Sequence, residues 1–152
     1  MSRAERAKEY FHQGYACSQA VALAFADLTG VSEDALAKSM LPFGGGMGRL
    51  RLTCGAVSGM AAIIGFVFAS PENTPENKKQ TYELTQKLCA KFKEELGSLI
   101  CAELLEESGI RVQVGGEAET RTNVYYKKRP CAEIVYVAAK ILEDYLIEQG
   151  VL

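Results

Sequence analysis

The segment from Leu52 to Pro71 contains no charged side chain, in a chain where 24% of residues are charged. Such a run has to be hidden from water, in a protein core or in a membrane. Thr53, Cys54 and Ser58 occupy its start and Pro71 closes it. The helix proper then spans Cys54 to Ala69, short of the roughly 20 apolar residues a membrane span needs. The expectation is a buried central helix, rich in Gly and Ala, around which the remaining chain packs. No membrane span is expected.

The rest of the sequence is punctuated like a series of helices. Ala4, Ala7, Tyr10 and Phe11 recur at helical spacing over 3–13. Cys17, Ala20, Val21, Ala24, Phe25 and Leu28 line one face of a helix over about 16–29, which Gly30 ends. Ser32 reads as the N-cap of a third helix that stops at Pro42. Thr53 reads as the cap of the central helix. Thr74-Pro75 opens a long helix to Leu96, ended by Gly97, and Ser98 caps a short one over about 99–108. Arg129-Pro130 starts the last helix, with Val135, Ala138, Ala139, Leu142 and Leu146 on its core face. Between them, Ile110, Val112 and Val114 alternate with polar residues before Gly115-Gly116, which fits either a short β-hairpin over 110–126 or an ordered loop. The fold class is mainly α: one domain over 1–152, a helical bundle of six to seven helices.

A net charge of −2 gives no electrostatic footprint for nucleic acid. The N-terminus is charged and lacks the apolar core of a secretory signal, so a cytoplasmic location is expected. Five cysteines in such a chain point away from structural disulfides and toward metal binding or redox chemistry. An odd count leaves at least one unpaired.

Four of the five sulfurs fall at expected helix starts. Cys54 follows Thr53, Cys101 lies just after Ser98, Cys131 follows Pro130, and Cys17 is in the first turn after Gly14-Tyr15. A helix N-terminus presents unpaired N–H groups and partial positive charge, both of which favour thiolate. Arg49 and Arg51 precede Cys54, and Lys127-Lys128-Arg129 precede Cys131. Cys89, between Leu88 and Phe92, reads instead as a packing residue.

Other chemistries find little support. No Cys-x-x-Cys or Cys-x-x-Cys-His is present, so neither a thioredoxin-type pair nor c-type haem is indicated. One histidine, His12, and no Gly-x-Ser-x-Gly leave a hydrolase triad without parts. Gly44, Gly45, Gly46 and Gly48 match neither a dinucleotide fingerprint nor a P-loop. They make either a tight turn or a bare backbone cradle for the Cys54 sulfur or for an anion bound beside Arg49 and Arg51.

The combination "GYACSQAV", "FGGGMGRLRLTCGAVSG", "LGSLICAELL" and "RPCAEIVYVAAKIL" resembles the small bacterial proteins of the C_GCAxxG_C_C family, described as redox-active. The central motif here is Cys54-Gly55-Ala56-Val57-Ser58-Gly59. The resemblance spans nearly the whole chain and places the family's four signature cysteines on Cys17, Cys54, Cys101 and Cys131. It implies redox function.

Three readings stay open. In thiol redox chemistry, Cys54 as a thiolate attacks a disulfide or oxidant and a second cysteine resolves it. In a four-cysteine metal centre, Cys17, Cys54, Cys101 and Cys131 hold an iron–sulfur cluster or zinc. In the third, the chain is a non-catalytic module for a small molecule or protein. The partner is an electron donor or acceptor, or a small-molecule substrate, and a homodimer is one option for assembly.

Overall fold

A computed structural model describes residues 1–152. It contains eight helices and no strand: α1 (Arg3–His12), α2 (Cys17–Leu23), α3 (Glu33–Met40), α4 (Gly55–Phe68), α5 (Pro75–Leu96), α6 (Cys101–Glu107), α7 (Asn123–Lys128) and α8 (Cys131–Glu148). No helix is long and apolar enough to cross a membrane.

Caps explain several boundaries. Ser2 and Glu5 form a capping box on α1. Ser32 accepts the Ala35 N–H, and Thr74 accepts the Asn77 N–H. Gly97 ends α5 in the left-handed region at φ 92°. Two caps differ from the sequence expectation. Thr53 lies outside α4, bridged to Ile100, and Cys54 itself is the N-cap. Ser98 lies two residues before the N-cap Ile100, whose N–H its Oγ accepts.

The uncharged segment forms α4, which packs against α2, α5 and α8, while α1 packs on α8 and α2. α4 shares the centre with α2. Every α2 residue after Cys17 is buried, whereas the distal end of α4 carries the 44%-exposed Phe66. α2 buries polar groups as well. Ser18 Oγ donates to the Met40 carbonyl, and Gln19 Nε2 donates to Ala37 while its Oε1 accepts the Ala16 N–H. These bonds satisfy buried polar atoms and fasten the end of α3 to the start of α2. They bring the chain that follows α3 against Cys17.

The hairpin over 110–126 does not form. Gly115 N–H donates to the Arg49 carbonyl, and the Gln113 carbonyl accepts from Arg51 Nε. The segment therefore pairs with the glycine-rich loop rather than with itself. Its second half is α7, started by Thr122, whose Oγ1 accepts the Tyr125 N–H. This raises the helix number to eight.

Candidate functional site: four sulfurs beside an arginine-lined cavity

After the turn at Leu41–Phe43, residues 44–52 fold back on themselves. Gly48 N–H donates to Pro42, Arg49 N–H to Gly44, Arg51 N–H to Gly45 and Leu52 N–H to Gly46. Gly45, Gly46, Met47, Gly48, Arg49 and Arg51 all have positive φ, between 53° and 73°. For the three non-glycine residues this costs about 1–2 kcal/mol each, and strain of this kind concentrates at functional sites.

The strain holds bare backbone against sulfur. The Gly45 N–H lies near enough to the Cys17 sulfur to favour its thiolate. A Cβ on Gly46 would sit 2.6 Å from the Cys101 Cβ, and one on Gly55 would collide with the Cys17 Sγ. The loop thus serves Cys17 and Cys101 rather than Cys54. Most of its other N–H groups bond carbonyls of the loop and its preceding turn, so Gly44, Gly45, Gly46 and Gly48 shape the wall more than they donate into the cavity.

A short antiparallel pairing around Thr53 and Ile100 anchors the backbone of two of the cysteines. Cys54 N–H donates to Leu99 at 2.8 Å, and Cys101 N–H to Leu52 at 2.6 Å. All four cysteines stand at helix starts: Cys54 as the N-cap of α4, and Cys17, Cys101 and Cys131 as the first residues of α2, α6 and α8. Cys17 is the common neighbour. Its thiol is pushed up by Cys101, and it in turn pushes up Cys54 and Cys131. All five cysteines are free thiols. Cys89 lies apart inside α5, half-buried against the core.

Burial outweighs the helix termini. It pushes the Cys54 thiol well above the ordinary range, although the Ala56 and Val57 N–H groups pull it down. It pushes Cys131 up to about 12, despite Arg129, and raises Cys17 against the opposing Gly45 and Ser18 N–H groups. Desolvation penalises the charged form more than partial helix charges favour it. Neither arginine before Cys54 is among the largest influences on it. Arg51, only 8% exposed, points its Nη1 at the Cys101 Sγ, 3.7 Å away.

Raised thiols carry a linked expectation for stability. The Cys131 pKa rises from 9.0 unfolded to about 12 folded. Between these values the native state keeps a proton that the unfolded state has lost. Its contribution is therefore complete below about pH 9 and is lost as pH climbs toward about 12. Cys17, Cys54 and Tyr125 shift in the same direction. The urea midpoint is expected to fall between about pH 8 and about pH 11, and to fall less in Cys131→Ser.

Beside Cys17 lies a cavity of about 310 Å³. Its wall includes Phe11, Tyr125 and four arginines: Arg49, Arg51, Arg121 and Arg129. Sequence reasoning found the first two arginines. It missed Arg121 and Tyr125, which lie in the stretch read as hairpin or loop, and it assigned Arg129 only to Cys131. Arg121 stacks on Phe11, 4.3 Å from the ring centre, and donates to the carbonyls of Phe11 and Tyr15. Cys54, Cys101 and Cys131 do not line this cavity; Cys17 does.

A family model described as "Putative redox-active protein (C_GCAxxG_C_C)" matches residues 15–145. No curated protein and no solved structure matches the chain.

Proposed function

The chain belongs to the C_GCAxxG_C_C family, described as redox-active, and we propose that it acts by dithiol–disulfide exchange, with Cys17 attacking and Cys101 resolving. The observation that carries this is the position of Cys17, on the cavity wall and electrostatically coupled to the other three sulfurs. Its thiolate attacks one sulfur of an incoming disulfide and expels the other half as a thiolate. Cys101 then attacks the Cys17 sulfur of the mixed disulfide and expels the second half. Two protein thiols are oxidised to one disulfide, one external disulfide is reduced to two thiols, and the two protein protons go to the leaving thiolates.

The surroundings support these roles. Burial raises the Cys17 thiol, and the Gly45 and Ser18 N–H groups counter part of that rise, while the Arg51 guanidinium faces Cys101. Cys54, which is 5% exposed, and Cys131 act as an inner pair, coupled to each other and to Cys17.

The four-cysteine metal reading has less support. No three of the His, Cys, Asp and Glu side chains are grouped so as to hold one ion, so the donor set does not fit a single zinc.

The test is to purify the protein without oxygen and count thiols, iron, zinc and acid-labile sulfide. We expect five thiols, falling to three on mild oxidation. Peptide mapping then finds Cys17 joined to Cys101. Stoichiometric metal that leaves on Cys17→Ser substitution would replace this reading with the metal one.

A further inference from the structure

The cavity holds more positive charge than its neighbours use. Four guanidinium groups face one carboxylate, that of Glu119. Glu119 is engaged with Arg129 at 2.6 Å. The terminal nitrogens of Arg121 donate to two backbone carbonyls, and Arg51 is held by Gln113 and Cys101. Arg49 is the exception. It forms no ion pair within the 4.0 Å that defines one, and its Nε is buried without a hydrogen-bond partner. A buried donor without an acceptor costs about 1–3 kcal/mol. The backbone there is also left-handed, at φ 64°. Strain and desolvation both work against this placement of Arg49, and its charge reaches Glu119 only at a distance beyond an ion pair, which leaves the guanidinium open to an external anion.

We propose that the cavity binds the anionic head of a low-molecular-mass thiol or disulfide. Its carboxylate or phosphate oxygens sit on Arg49, with Arg51 and Arg129 flanking, and its sulfur reaches Cys17. The sulfur half of this inference rests on the exchange reading above; the anion half does not. A guanidinium suits either acid, because both present oxygens spaced for paired N–H donors. About 310 Å³ lies at the low end of ligand pockets, which selects a small molecule over a protein disulfide. Phe11 and Tyr125 give the ligand's apolar part a surface to lie on. The same cations attract an anion at long range and raise its encounter rate.

Two arms test this. The first compares two disulfide reagents that report by colour: 5,5′-dithiobis(2-nitrobenzoate), doubly negative, and 4,4′-dithiodipyridine, neutral. Arg49→Gln is expected to lower the ratio of the charged to the neutral rate by about ten- to a hundredfold, and Arg49→Lys to restore part of it. An unchanged ratio overturns the assignment of the sulfur-bearing ligand.

The second arm uses the Cys17→Ser/Cys101→Ser chain, in which no exchange can occur. Inorganic phosphate or malonate is expected to raise its melting temperature, and Arg49→Gln to abolish the rise. The more effective anion names the head group. No rise with either anion overturns the proposal whatever the rates do. A rise that depends on Arg49, in a protein that never joins Cys17 to Cys101, overturns the exchange reading alone and leaves the anion site standing.

Discussion

Replacing Cys17 by serine is expected to lower the rate of disulfide reduction by a factor on the order of 10³ or more, whereas replacing Cys101 changes the stoichiometry instead. The two variants separate because exchange has two steps. Without Cys17 there is no sulfur on the cavity wall to open the incoming disulfide. A serine oxygen keeps the shape but is a far poorer nucleophile toward sulfur. Without Cys101 the first step still runs. One thiolate is released per chain, and the other half of the reagent stays attached to Cys17 as a mixed disulfide. Mass spectrometry of the intact Cys101→Ser chain reads that adduct directly. Cys54→Ser, removed from the cavity wall, leaves both the first step and the release of two thiolates in place. The order of roles would be wrong if Cys54→Ser, not Cys17→Ser, stopped the reaction.

The rate should also climb through the alkaline range. Burial raises the Cys17 thiol above its ordinary value of 9.0. The thiolate fraction, and with it the rate, therefore keeps rising at pH values where an exposed cysteine has already levelled off.

This pH dependence departs from the sequence expectation for a definite reason. Helix starts were legible, because Ser32, Thr74, Gly97 and Pro130 mark boundaries through local chemistry. Of these, Pro130 places Cys131 at a helix start, whereas Cys54 and Cys101 were placed from Thr53 and Ser98, which lie close to helix starts without being their N-caps. Burial was not legible in the same way. Whether Cys54 faces water depends on how Leu99 and the 51–54 segment pair, and that pairing joins residues far apart in sequence. The nucleophile we propose is therefore Cys17 rather than Cys54. The glycine-rich loop was recognisable as a bare backbone surface, but not the sulfurs it approaches. Arg121 is the clearest omission. It is one cation in a stretch without periodicity, and only the tertiary fold stacks it on Phe11.

The second large effect concerns the contact that sets Cys17 in place. Gly59→Ala and Gly65→Ala, six residues apart on α4, are expected to change stability in opposite directions. Alanine favours a helix over glycine by about 1 kcal/mol, and at Gly65 nothing lies within 4 Å of an added Cβ. There the substitution raises stability by up to about 1 kcal/mol, or roughly 2–4 °C in Tm. At Gly59 the added Cβ would meet the Ser18 carbonyl oxygen at 2.6 Å and the Val21 Cβ at 3.1 Å. The obstructing carbonyl is α2 backbone, which cannot rotate away like a side chain, so α2 has to move. Overpacking of this kind costs about 1–3 kcal/mol and sometimes more. The 2.6 Å contact is with backbone and so draws on the upper part of that range; after the propensity gain the net loss is about 1–2 kcal/mol, or roughly 2–8 °C. Because α2 begins at Cys17, the same displacement loosens the Gly45 N–H contact to its sulfur. Gly59→Ala should therefore slow the disulfide reaction as well as lower Tm, while Gly65→Ala raises Tm and leaves the reaction as it was. A Gly59→Ala chain as stable and as fast as the parent would show that the close approach of α2 to α4 does not position the reactive sulfur.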